Sequence, residues 1–187
     1  MTREQLAHVL RAVADITREH DVLVIGSQSI LGSFSEDELP PEATGSMEVA
    51  TAFLDDPDDA KSDLVDVNIG EFSPFHDEFG YYPQGVSIRT GVFPEGWRER
   101  LVIYETRSTE PGRGLCLEPH DCILAKLVRF EEKDVDFAVA LVRAGLIDLN
   151  ILANRVGTLP ADPACIDRIR NWIDAMRTRG AQGNWQS

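Results

Sequence analysis

The chain has 187 residues, enough for one large or two small domains with a sizeable core. Its formal net charge of −14 argues against bulk nucleic-acid binding, because phosphate contacts dominate that affinity; RNA contact then needs a local basic patch, a basic protein partner suits the balance better than nucleic acid, and plain solubility accounts for it most simply. Three cysteines without metal-site spacing (Cys116, Cys122, Cys165), a charged amphipathic start unlike a signal peptide, and no apolar run near the roughly 20 residues of a membrane span point to a cytoplasmic protein with no membrane partner.

In chain order, Thr2 to about His20 reads as a helix. Thr2 and Gln5 have capping-box spacing, and Leu6, Val9, Leu10, Val13 and Ile16 make one apolar stripe. Val22–Ile25 is a fully apolar strand that ends in Gly26-Ser27 and a short helix-like piece. Glycine there permits close approach of a phosphate, and Ser27 offers a hydroxyl and an N–H where a helix begins. Ser33–Ser46 is an acidic, proline-bearing loop expected to border the site. Met47–Leu54 follows as a strand carrying Glu48. Carboxylates at i and i+2 of a strand share a face and reach one ion, but the second position here is Ala50.

Asp55-Asp56-Pro57 is expected to cap a helix running to about Ile69, its acids serving as caps and solvated charges. Gly70–Gly85 is aromatic and irregular; its rings could stack on a base but read better as satellite core, and His76 beside Asp77 stands without partners. Short strands are expected at Val86–Thr90, Leu101–Glu105 and Leu115–Leu117, with Trp97, Arg98 and Arg100 as a small basic edge. Pro119 opens a helix in which Lys126 sits among apolar residues, either snorkelling to water or facing a triphosphate. A break near Glu131–Lys133 would return Asp134 toward Lys126, to pair with a cation or act on an incoming hydroxyl. Helices at Asp148–Val156 and Ala161–Arg179 complete the chain, the last being the most basic segment, and Gly180–Ser187 is expected to fray.

The ordered set GSQSILGSFSEDELP, SMEVATAFLDD and LEPHDCILAKLVRFEEKD, followed by an AGL turn, resembles the AbiEii and MenT-like nucleotidyltransferase toxins of toxin–antitoxin systems, over roughly Val22–Leu146. The resemblance implies an α/β (α+β) nucleotidyltransferase fold, a mixed sheet flanked by helices in a core of residues 1–117, with a helical C-terminal region at 118–187. It further implies that Gly26, Ser27 and Lys126 bind the nucleotide, that Glu48, Lys126 and Asp134 are catalytic, and that Glu48 and position 50 ligate Mg²⁺. Position 50 departs from the pattern, which expects Asp where this chain has Ala50. The implied activity is addition of nucleotides, often pyrimidines, from NTP to the 3′ end of tRNA, with a cognate antitoxin protein as partner. Two alternatives stand beside it: a degenerate nucleotide-binding protein, supported by Ala50, and a protein AMP-transferase, supported by the acidic surface.

Overall fold

The computed structural model describes residues 1–182. The expected fraying at Gly180–Ser187 mostly lies outside the described residues, and the last helix continues through Ala181. Five strands form one mixed sheet: β1 (Asp21–Val24), β2 (Glu48–Ala52), β3 (Tyr82–Gly85), β4 (Val102–Tyr104) and β5 (Arg113–Cys116). Their spatial order is β3-β2-β1-β5-β4. The β1–β5 and β2–β3 pairs are parallel, and the β1–β2 and β4–β5 pairs antiparallel. Around the sheet lie α1 (Arg3–Thr17), α2 (Pro41–Thr44), α3 (Ala60–Ile69) and α4 (Pro74–Phe79). The C-terminal part is helical: α5 (Pro119–Arg129), α6 (Glu132–Arg143), α7 (Leu149–Arg155) and α8 (Pro163–Ala181). The expected class, a mixed sheet flanked by helices with a helical C-terminus, is therefore what the chain adopts.

Local chemistry explains the boundaries. Thr2 caps α1 by accepting from Gln5 N–H, and the Gln5 side chain accepts from Thr2 N–H at 2.9 Å, closing the capping box. Leu6, Val9, Leu10 and Val13 are fully buried, so the apolar stripe packs on the core. That core is one contiguous cluster that also takes in Ile123, Leu127, Leu141 and Ile169 from the C-terminal helices. The three cysteines are free and buried, and burial pushes the Cys116 thiol up to about 12.

Four expectations need correction. The third helix does not start at Asp55-Asp56-Pro57 but at Ala60, after Asp59 takes a left-handed conformation (φ 57°). Its orphan donors are met from upstream, because the Asp56 carboxylate accepts from Lys61 N–H (3.1 Å), Ser62 N–H (3.0 Å) and the Ser62 hydroxyl (3.0 Å). The Gly70–Gly85 stretch is not wholly irregular. It holds α4 and then β3, hidden in the sequence because Tyr82-Pro83-Gln84-Gly85 reads as a turn. Proline is tolerated there because β3 is an edge strand. Glycine is required because a Cβ at Gly85 would lie 2.0 Å from the Ser62 carbonyl oxygen of α3. The strand expected at Val86–Thr90 is instead one more rung, Val86 N–H donating to Thr51 O at 2.8 Å, and a tight turn over Ile88–Thr90. The basic edge is only half there: Arg100 Nε donates to Asp121 at 2.8 Å, while Arg98 stays exposed over the Trp97 ring.

The aromatic stretch is satellite core in the main. His8, Phe75, Phe79 and Tyr81 pack edge to face or tilted, with His8 Nδ1 2.8 Å from the Tyr81 hydroxyl. His76 closes a turn, its Nδ1 accepting from Phe72 N–H at 3.1 Å. The basic last helix is also largely self-paired. Arg170 bonds Asp167, Arg177 bonds Asp174 and Asn150, and Arg168 donates to the Val128 carbonyl while stacking on Phe130.

Candidate nucleotide site

A cavity of about 390 Å³ opens where β1 ends and β2 begins, a size within the range of small-molecule sites. Its walls come from distant parts of the chain: Gly26 and Ser27 after β1, Glu42 on α2, Glu48 and Ala50 on β2, Gln84 on β3, and Lys126, Arg129 and Lys133 on α5 and α6. The acidic loop does border it, through Glu42, Ala43 and Ser46.

The alternation of β2 sets one wall. Val49 and Thr51 are fully buried while Glu48 and Ala50 face the cavity, as period-2 geometry requires. In the parallel pairing Ala50 sits beside Gln84, which adds a third cavity-facing side chain. Gly26 has ordinary extended torsions, φ −85° and ψ −167°, so a left-handed turn is not its reason for being glycine. A Cβ built on it would lie 3.0 Å from the Ala50 Cβ. The missing side chain thus makes room first for β2, and Ile25 N–H donates to Ala50 O at 3.1 Å across the same junction. Ser27 opens a six-residue 3₁₀ segment, Ser27–Gly32, so what it presents is its hydroxyl and local N–H groups rather than a long helix dipole.

The opposite wall is cationic, and its geometry comes from a helix break. Phe130 ends α5 in a left-handed conformation (φ 59°), and Glu131, still extended, is the N-cap residue of α6. Arg168 of α8 steadies that turn, its guanidinium 4.7 Å above the Phe130 ring. The reversal brings Asp134 under the end of α5. Its carboxylate accepts from Lys126 Nζ at 2.9 Å and from Arg129 at 3.0 and 3.1 Å. Asp134 is completely buried, Lys126 is 15% exposed and Arg129 55%. Burial alone would raise the Asp134 carboxyl, but the bonds and charges of Lys126 and Arg129 outweigh it and hold it below the ordinary value. Lys126 is fixed further by the Phe137 ring, 5.0 Å from Nζ.

The six expected site residues therefore divide cleanly. Gly26, Ser27, Glu48, Ala50 and Lys126 line one cavity. Asp134 does not; its oxygens are taken up beneath two residues that do. Arg129 was missed by sequence reasoning, although its spacing of five from Asp134 across a helix break was a usable signal. Glu42 and Gln84 were also missed, because only tertiary structure brings them in.

The cavity is poor in metal ligands. One carboxylate, Glu48, faces the cavity from β2, position 50 offers a methyl group, and Glu42 lies on a separate element. Among the described residues no group of three or more His, Cys, Asp or Glu side chains is placed to hold a metal ion. The residues present do not fit a resident Mg²⁺. An ion carried in with nucleotide phosphates is different, since magnesium commonly takes one or two protein carboxylates and completes its shell with phosphate and water.

A mixed sheet with a Gly-Ser turn, a carboxylate on the neighbouring strand and a lysine across the cleft defines a nucleotidyltransferase-like protein. The family comparison agrees: residues 4–162 match the family described as nucleotidyltransferase of unknown function (DUF6036), and the chain belongs to that family. No curated protein and no solved structure matches the chain. No helix among the described residues is long and apolar enough to cross a membrane.

Proposed function

We propose that this chain binds a nucleoside triphosphate in the Gly26–Lys126 cavity and is a transferase of the toxin type, acting in the cytoplasm on the 3′ end of tRNA, with pyrimidine nucleotides as donors and an antitoxin protein as its partner. The observation that carries the nucleotide reading is that Gly26, Ser27, Glu48 and Lys126, far apart in sequence, line one cavity. The donor is an NTP, and any Mg²⁺ it carries on its phosphates comes as part of the substrate. In the transfer, the 3′-hydroxyl oxygen bonds the α-phosphorus and the bond to the β-phosphate oxygen breaks, releasing pyrophosphate. Lys126 and Arg129 face the triphosphate, Ser27 adds a hydroxyl, and Glu48 is the cavity-facing carboxylate on β2 that can take the hydroxyl proton. Asp134 is a positioning residue, holding Lys126 and Arg129 from below.

Ala50 favours a second reading, nucleotide binding with little or no turnover. A matched pair separates the two. This chain and its Ala50→Asp variant are incubated with Mg²⁺, total tRNA and each labelled NTP. Label on tRNA from both proteins supports the transferase reading for the chain as it stands. Label from the variant alone means binding persists while transfer is disabled at position 50. Label on a protein target moves the function to protein modification, and no label from either, with no nucleotide bound, overturns the reading.

A further inference from the structure

The two walls of the cavity are electrically mismatched for a metal-dependent site. Three cations, Lys126, Arg129 and Lys133, line it against two carboxylates, Glu42 and Glu48. In a chain of formal net charge −14 this wall is a local reversal of sign, net positive by one charge once Asp134 beneath Lys126 and Arg129 and Glu131 beside Lys133 (3.3 Å) are counted. It is also built rather than incidental: Lys126 and Arg129 are both anchored on a fully buried Asp134, and Lys126 lies against Phe137. Two cations on one carboxylate leave a net positive charge held in fixed geometry, with guanidinium N–H groups suited to phosphate oxygens. An aspartate at position 50 would add a carboxylate to the facing wall. Two adjacent carboxylates would repel a triphosphate unless a divalent ion lay between them. With alanine there, that repulsion is absent.

We infer that this cavity binds the polyphosphate of a nucleotide without a divalent cation, the Lys126–Arg129 pair doing the work that a metal does where position 50 is acidic. The inference rests on the nucleotide reading above and adds that the metal has become dispensable for binding. Glu48 then faces the phosphates without a neutralising ion, so its removal strengthens binding rather than weakening it.

Calorimetric titration with each of the four NTPs, in EDTA and in Mg²⁺, tests this. The expected result is an affinity in EDTA within about threefold of that in Mg²⁺ for the wild-type chain. Glu48→Gln should bind at least as tightly as wild type in EDTA. Ala50→Asp should lose tenfold or more in EDTA and recover in Mg²⁺, circular dichroism verifying that both variants are folded. Inorganic triphosphate should compete in EDTA, since the grip is on phosphate. Wild-type binding that falls tenfold or more in EDTA, or a Glu48→Gln variant that binds more weakly in EDTA, overturns the inference while leaving the nucleotide reading standing. Absence of binding in both buffers, for wild type and Ala50→Asp alike, overturns that reading itself.

Discussion

Replacing Glu118 with glutamine should remove most of the acid sensitivity that this carboxylate confers on the fold. Glu118 caps α5, accepting from His120 N–H (3.1 Å) and Asp121 N–H (3.3 Å). Its other contacts are His120 Nδ1 at 2.6 Å and a short bond from Arg155 of α7. Asp148 N–H donates to His120 Nε2 at 3.0 Å, so the imidazole proton sits on Nδ1 and is given to Glu118. Burial works to raise this carboxyl, but the bonds from His120 and Arg155 and the adjacent positive charge outweigh it and hold it at about 2, against 4.5 for an ordinary glutamate. A depressed carboxyl contributes stability that is complete above its unfolded value and disappears as pH falls through the folded value. At about 1.4 kcal/mol per pKa unit, the ceiling on that contribution is about 3 kcal/mol at neutral pH. Between pH 6 and pH 3 the wild-type chain should lose about 2 kcal/mol from this group alone. Urea unfolding of wild type and Glu118→Gln across that range reads it directly. The variant should be less stable by about 2–3 kcal/mol at pH 6, and the gap should narrow to about 1 kcal/mol at pH 3. A gap that stays constant over the whole range would refute the assignment of the depressed carboxyl to Glu118.

Three further outcomes follow from the packing. Gly85→Ala places a Cβ against the Ser62 carbonyl, backbone against backbone, so α3 must lift from β3; thermal unfolding should register a loss of about 3 kcal/mol or more. Asp134→Asn leaves Lys126 and Arg129 facing each other over a neutral amide. Discounting for the exposure of Arg129, this should cost about 2–3 kcal/mol by urea unfolding, and the wild-type advantage should shrink as pH falls below the ordinary carboxylate range. Asp56→Ala removes the acceptor that satisfies two α3 N–H groups and should cost about 1–2 kcal/mol, with amide exchange accelerating first at Lys61 and Ser62.

How much was legible from sequence depended on how local the deciding interaction was. The capping box of α1, the proline start of α5 and the return of Asp134 to Lys126 across a helix break all depend on residues within about two turns, and all were readable. The edge strand β3 was not, because Pro83 and Gly85 are turn residues unless one already knows that the strand is an edge and that α3 crosses it closely. Charge was the poorest guide. Arg100 and Arg155 converge on the fully buried Asp121 from 21 and 34 residues away, so arginines that look free in sequence are committed within the fold. The last helix behaves similarly: Arg170 and Arg177 pair with its own aspartates and Arg168 is drawn to the Val128 carbonyl. The cations left facing the cavity are those on α5 and α6.

Position 50 offers a test of what a second carboxylate would add to the cavity. Its Cβ is already present, packed near Gly26, so an aspartate extends from an existing atom toward the cavity face shared with Glu48. Without an ion, the new carboxylate two residues from Glu48 should cost a few tenths of a kcal/mol by like-charge repulsion. With an ion, the pair becomes a weak site of the two-carboxylate kind. Taking a dissociation constant on the order of 1 mM, 10 mM Mg²⁺ would stabilise the variant by about 1.4 kcal/mol, or roughly 3–6 °C in Tm for a chain of this size. The wild-type chain, with a single carboxylate on β2, should show no comparable rise. Scanning calorimetry of both proteins with and without Mg²⁺, and with an equal ionic strength of KCl as control, distinguishes a bound ion from screening. Equal Mg²⁺ shifts in the two proteins would mean that Glu48 and its neighbours already hold the ion, and that Ala50 is not the reason the donor set is incomplete.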